Sequence, residues 1–151
     1  MKKNILVFGG FGFIGQNLVE ELLPAYNVFV FDTKKSINRR IKSYSGNFTN
    51  PDDLETVFRE NKIDIVIHLI STTIPSSSNE NIVFDINTNL HSTINLLDLM
   101  KTYSVSNIIF LSSGGTVYGN VDHQETNIDE NHATNPICSH GIVKLMIEKY
   151  I

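Results

Sequence analysis

Four short runs dominated by apolar residues, Asn4 to Phe8, Val28 to Phe31, Ile63 to Ile70 and Asn107 to Leu111, punctuate this chain. Val28-Phe29-Val30-Phe31 has no polar alternation at all, the mark of a strand covered on both faces, which points to a parallel sheet wrapped by helices. The intervening segments supply the helices. Ile14, Leu18 and Leu22 recur at spacing four with Val19 and Leu23 beside them, and Pro24 closes that helix. Asn50-Pro51-Asp52-Asp53 opens another: a side-chain acceptor at the N-cap, a proline where no amide hydrogen is needed, and carboxylates at the positive end of the dipole. Its predicted core face is Leu54, Val57 and Phe58. After a Ser/Thr/Pro loop from Ser71 to Ser78, a long helix is expected to turn Ile86, Leu90, Ile94 and Leu97 inward. Asn135-Pro136 repeats the helix start and leads into residues 137–151. Residues 33–45 are polar and basic and read as a loop with a short helical turn. Strand and helix alternate throughout, so the expected fold is α/β, a doubly wound parallel sheet forming one domain over residues 1–151.

The 151 residues carry 12 Lys+Arg against 16 Asp+Glu, a formal charge of -4. No basic block marks a nucleic-acid partner or an anionic membrane surface. Lys2-Lys3 before Ile5-Leu6-Val7-Phe8 imitates a secretory signal, but glycines interrupt the apolar run and no small-x-small cleavage site precedes Glu20-Glu21. Cys138 is the only cysteine, which excludes a disulfide framework within the chain and fits a reducing compartment. The expectation is a cytoplasmic protein without a membrane span. The histidines 91, 123 and 132 show no metal-like spacing, and no metal is expected.

Gly9-Gly10-Phe11-Gly12-Phe13-Ile14-Gly15 lies between the first strand and the first helix. Glycines there permit a tight turn, let the backbone approach a pyrophosphate, and let the helix pack close to the sheet, so that phosphates meet the free amides of the helix N-terminus. The bland alternative is a turn that binds nothing. Context favours the dinucleotide: a strand precedes, a helix follows, and Asp32 ends the next strand 17 residues after Gly15. Asp32 would accept from both adenosine ribose hydroxyls and repel a 2′-phosphate, favouring NAD over NADP, although Lys34, Lys35 or Arg39 are near enough in sequence to meet such a phosphate.

These residues, with Gly46-Asn47-Phe48, Val66-Ile67-His68-Leu69, Asn89 to Leu97, Phe110 to Gly119 and Asn135 to Lys144, resemble the extended short-chain dehydrogenase/reductases, specifically the NAD-dependent sugar-nucleotide epimerases and dehydratases. The resemblance implies a Rossmann-like cofactor half, C-terminally incomplete relative to a family about twice as long, with the substrate domain absent from this chain. In such a fold the strand near Ile108 is left as a sheet edge, to be covered by further chain or by a partner. The resemblance places Gly9, Gly12, Phe13, Ile14 and Gly15 at the pyrophosphate and Asn47 and Phe48 beside adenine. Leu69, Ile70 and Ser71 would line the cofactor, with Asn89 on the helix behind it and Ser112 near the nicotinamide. Asn47 stands where the family usually has Asp, and Ile70 replaces a usual alanine. His68 matches the family and reads as structural.

The departures fall on the chemistry. Family enzymes use a Tyr-x-x-x-Lys pair, in which the lysine anchors the nicotinamide ribose and lowers the phenol pKa while the phenolate takes a proton. Here Lys144 is kept and His140 stands in the tyrosine's place. Tyr118 belongs to a different motif. The family's Ser or Thr three residues before the Val of Val-Tyr-Gly falls on Gly114, leaving Ser113 or Thr116 to supply a hydroxyl. The resemblance therefore implies an NAD-binding portion that acts on a UDP-sugar if the missing half is supplied, with impaired turnover, and a homodimer through residues 82–102 and 137–151. A non-catalytic dinucleotide-binding module and an NADP-linked carbonyl reductase are the alternatives.

Overall fold

The computed structural model describes residues 2–121 and 128–151; His123 lies outside the described residues. By its internal contacts the chain divides into two compact units. The first comprises the residues up to Ile70 together with Ser92–Leu111, and the second comprises Ser71–His91 and Ser112–Ile151.

Among the described residues all five strands, β1 (Asn4–Phe8), β2 (Asn27–Asp32), β3 (Lys42–Ser45), β4 (Ile65–His68) and β5 (Ile108–Phe110), belong to the first unit. They form one parallel sheet in the order β3-β2-β1-β4-β5. The period of two in each strand sends alternate residues to opposite faces, and in the inner strands both faces carry buried residues. Leu6, Phe8, Phe31 and Val66 pack with Leu54, Val57 and Phe58 of helix α2 (Pro51–Glu60) and with Leu96 and Met100 of α4 (Ser92–Thr102). Ile5, Val7, Val28, Val30 and Ile67 meet Val19 of α1 (Phe13–Leu22) on the other face. This is the doubly wound parallel sheet expected, and strand order reverses between β1 and β4. At such a switch point the carboxyl ends of the strands open a crevice in which ligands of open α/β sheets bind.

Local capping follows the sequence. The Asn50 side chain accepts from the Asp52 amide, Pro51 takes the first helical position, and Leu54, Val57 and Phe58 are the buried face of α2. Two readings require correction. Residues 42–45 are a strand: β3 pairs with Phe29–Asp32 in parallel register. Lys-Ser-Tyr-Ser is short and polar because β3 is an edge strand, where charge is the usual protection, and Lys42 lays its ammonium over the rings of Phe29 and Tyr44 at 5.9 and 5.5 Å.

The second correction concerns the long helix. It is three consecutive segments, α3 (Ile82–Asp85), a π-helical stretch (Ile86–His91) and α4. Ile86 is exposed and Ile94 and Leu97 are only half-buried, while Asp85, Asn89, Leu90, Ser92, Thr93, Leu96 and Met100 are buried. Wider i→i+5 turns rotate every later residue relative to a 3.6 count, so spacing four taken from Ile86 drifts off the buried face.

The second unit also holds a 3₁₀ turn (Ser78–Glu80), α5 (Gly114–Val117) and α6 (Ser139–Tyr150). Among the described residues no helix is long and apolar enough to cross a membrane.

Candidate functional site

The first unit carries a backbone cradle. β1 ends at Phe8, and Gly9 takes a φ of +78°, the left-handed region that favours glycine. Its amide donates to the Phe31 carbonyl oxygen at 2.8 Å, and its own carbonyl accepts from the Gly12 amide at 3.1 Å, which folds the turn back on itself. Gly15 is where α1 meets this turn. A Cβ there would collide with the Gly9 carbonyl oxygen and lie 2.7 Å from the Gly10 Cα, so only glycine permits the approach. Gly12 is the N-cap and offers no side chain, leaving the first amides of α1 uncapped by any side chain. Phe13 is 86% exposed and Ile14 half exposed beside them. Uncapped amides at the positive end of a helix, with backbone brought close by glycines, fit an anionic diphosphate.

Asp32 closes β2, the strand beside β1. One carboxylate oxygen accepts from the Phe11 amide at 3.0 Å and the other from the Lys34 amide at 3.3 Å, which holds the acid against the glycine turn. Lys34, Lys35 and Arg39 are exposed. Asn47 is exposed, and its side-chain oxygen accepts from the Thr49 amide at 3.0 Å. Phe48 is buried: its ring lies 5.7 Å from Phe8 and 4.9 Å from His68. Only its backbone is therefore placed to meet a ligand. His68 is 1% exposed and its Nε2 is 3.0 Å from the Thr93 hydroxyl, so it is part of the core. Leu69 and Ile70 are half-buried past the end of β4, and the Ile70 side chain fills the space beside Gly9, 3.1 Å from where a Cβ would stand.

The second unit holds a buried polar centre. Asp85 has no exposed surface; one oxygen accepts from the Thr73 hydroxyl at 2.7 Å and the Asn89 amide nitrogen at 2.8 Å, and the other from the Ser139 hydroxyl at 2.6 Å. Asn89 is itself buried and accepts from the Thr72 amide at 2.9 Å, fixing the loop that contains the exposed Ser71. His140 and Lys144 follow Ser139 on α6, 8% and 6% exposed. Burial pushes the His140 imidazole below its ordinary value, the Lys144 charge adds to this, and Asp85 and the Thr73 backbone oppose it. Burial also lowers the Lys144 ammonium to about 8, against the pull of Asp85. At neutral pH this is a neutral imidazole one helical turn from a cation that sheds its proton easily.

Of the remaining hydroxyls, those of Ser112 and Thr116 hold hydrogen bonds, and the Ser113 side chain makes no capping bond. Ser112 donates to Glu148. The Thr116 hydroxyl donates to the Ser113 carbonyl oxygen at 3.2 Å, and Ser113 is the N-cap of α5. Gly114, by contrast, faces open space: a Cβ added there meets nothing within 4 Å. No three metal-ligating side chains gather among the described residues. Sequence reading missed Asp85, Thr73 and Ser139. The available signal was the spacing of four between Asp85 and Asn89, two polar residues on one turn of an otherwise apolar segment.

The sequence profile described as "NAD dependent epimerase/dehydratase family" matches residues 5–151. The chain belongs to this family. Among the epimerase/dehydratase relatives, a protein named "Putative UDP-glucose 4-epimerase" from Methanocaldococcus jannaschii is 36% identical over 97% of this chain and 49% of its own length. A UDP-glucose 4-epimerase of Lactobacillus helveticus is 31% identical over 96% of the chain and 45% of its own. The fold matches the Thermus thermophilus UDP-glucose 4-epimerase solved with NAD at a TM-score of 0.91, with 29% identity over 97% of this chain and 49% of that one. The Bifidobacterium longum enzyme, solved with NAD+ and UDP, matches at 0.87 with 33% identity, 98% of this chain and 48% of that one. The chain spans about half the length of the relatives it matches.

Proposed function

We propose that this chain is the NAD-binding portion of a cytoplasmic nucleotide-sugar epimerase or dehydratase, which acts on a UDP-sugar by transient hydride transfer at a sugar carbon. The observation that carries the reading is the uncapped glycine turn at the sheet's switch point, with the Asp32 carboxylate bonded against it. Relatives named for UDP-glucose epimerisation, and neighbours solved with NAD, support the substrate and cofactor. NAD, when bound, supplies the hydride acceptor that oxidises a sugar hydroxyl and later returns the hydride.

In this reading the Phe13, Ile14 and Gly15 amides receive the pyrophosphate and Asp32 takes the ribose hydroxyls, its charge excluding a 2′-phosphate. The Asn47 and Phe48 backbone borders adenine, while Leu69, Ile70, Ser71, Asn89 and Ser112 belong to the cofactor's surroundings. Lys144 binds the nicotinamide ribose. His140 is the group placed to take a proton, and imidazole is shorter than phenol, so turnover is impaired; a misplacement of about 1 Å costs ~100-fold.

A second reading, a non-catalytic dinucleotide-binding module, is favoured by two departures at once: His140 in the tyrosine's place and Gly114 in the hydroxyl's. Equilibrium titration of the chain with NAD and NADP, with Asp32→Ala as control, tests the cofactor assignment. Saturable NAD binding, weakened about 10-fold or more by Asp32→Ala, is expected. Preference for NADP would transfer the reading to a carbonyl reductase using Lys34, Lys35 or Arg39, and no binding to folded chain would remove the cofactor assignment.

A further inference from the structure

We propose that Asp85 is a positioning residue for His140 and Lys144: its buried carboxylate ties the Thr73 loop, Asn89 and the first turn of α6 into one unit and so sets where the imidazole and ammonium stand. The ties are the Thr73, Asn89 and Ser139 bonds at 2.7, 2.8 and 2.6 Å, all to a carboxylate without exposed surface. An acid buried to this extent is stable only where donors replace its lost water, and here three come from three separate segments of the second unit. Ser139 immediately precedes His140, so the bond to Asp85 holds the start of the helix that carries both residues. The Ser139 amide adds a fourth anchor by donating to the Asn79 side-chain oxygen at 2.8 Å.

The tie is also electrostatic. Asp85 is the carboxylate that opposes the downward push of burial on both His140 and Lys144. The 3₁₀ turn carries Glu80 and the π-helical stretch carries His91, both exposed; α5 carries no titratable side chain; α6 itself adds Glu148, bonded to Ser112, and Lys149, exposed. Thr73, Asp85 and Ser139 are far apart in sequence, and no local helix or turn requirement explains their convergence on one carboxylate.

The inference rests on the reading of His140 and Lys144 as the working pair, but its test reads protonation and local order, not NAD binding or turnover. The whole chain is titrated by NMR, following the His140 ring protons and the Lys144 side chain, as wild type and as Asp85→Asn, which keeps shape and loses charge. Both midpoints are expected to fall by about one pH unit, a tenfold weaker hold on each proton. Unmoved midpoints in folded Asp85→Asn overturn the proposal. Ser139→Ala leaves the charge and removes one tie: amide hydrogen exchange at His140 and Gly141 is expected to quicken about tenfold while exchange in β1 and β4 is unchanged. Unchanged exchange at α6 overturns the positioning role, and this variant decides the matter alone if Asp85→Asn does not fold. A chain that shows both effects yet fails to bind NAD would refute the cofactor reading and leave this one standing.

Discussion

At the scale of single residues, the decisive contrast is between glycines that nothing can replace and side chains whose ionisation the fold controls. Gly15 is the first kind. In Gly15→Ala the added Cβ must displace the Gly9–Gly10 backbone, at a cost of roughly 1–3 kcal/mol in stability, and NAD binding is expected to fail in a calorimetric titration because the cradle opens. His140 and Lys144 are the second kind, and their shifts have a sign. The folded His140 resists protonation, so as pH falls below the ordinary value of 6.5 the unfolded chain binds a proton that the folded chain refuses, and stability is lost. Lys144 behaves likewise at the other end: as pH rises from about 8 to 10.5 the folded chain has released its proton and the unfolded chain has not, so stability rises. Urea midpoints across pH should show both slopes, the acidic one reduced in His140→Gln and the alkaline one in Lys144→Met.

At the scale of elements, the cap of α2 is local chemistry read directly from Asn50-Pro51-Asp52-Asp53. Asn50→Ala removes the acceptor for the Asp52 amide and is expected to lower stability by about 1 kcal/mol in thermal unfolding, without affecting NAD binding. The segment Ile82–Thr102 behaves differently. Its apolar spacing suggests a uniform inward face, but the π-helical stretch shifts the count, and Asp85 just before it and Asn89 within it are buried. β3 escaped notice for a related reason, since four polar residues are a strand only because Phe29–Asp32 offers them a ladder.

At the scale of the whole molecule, apolar surface left open indicates partners. In the second unit, α3 exposes Ile82, Val83 and Phe84, and α6 exposes Ile142, Met146 and Tyr150. Large apolar side chains left exposed on helices are of the kind that protein interfaces cover. The homodimer that the family resemblance implies, through residues 82–102 and 137–151, would use these side chains. Sedimentation equilibrium should show a dimer that Ile142→Glu dissociates, with no loss of secondary structure by circular dichroism; a wild-type monomer would refute the dimer. In the first unit, Ile109 on β5 is 58% exposed, and among the described residues β5 pairs with β4 alone.

The sequence by itself determined four of the five strands, the helices α1 and α2 and the glycine turn with Asp32, because those depend on short-range spacing: apolar period, capping geometry and the fixed distance between a turn and the end of the next strand. It also exposed the His140 and Gly114 departures, since these are positions within motifs. Only the tertiary structure decided what surrounds them. Thr73, Asp85 and Ser139 meet in one buried hydrogen-bond cluster although they are separated by as many as 66 positions, and Phe48 turns its ring into the core rather than toward a ligand. Burial and charge proximity are sums over neighbours brought together by folding, and no local pattern encodes them.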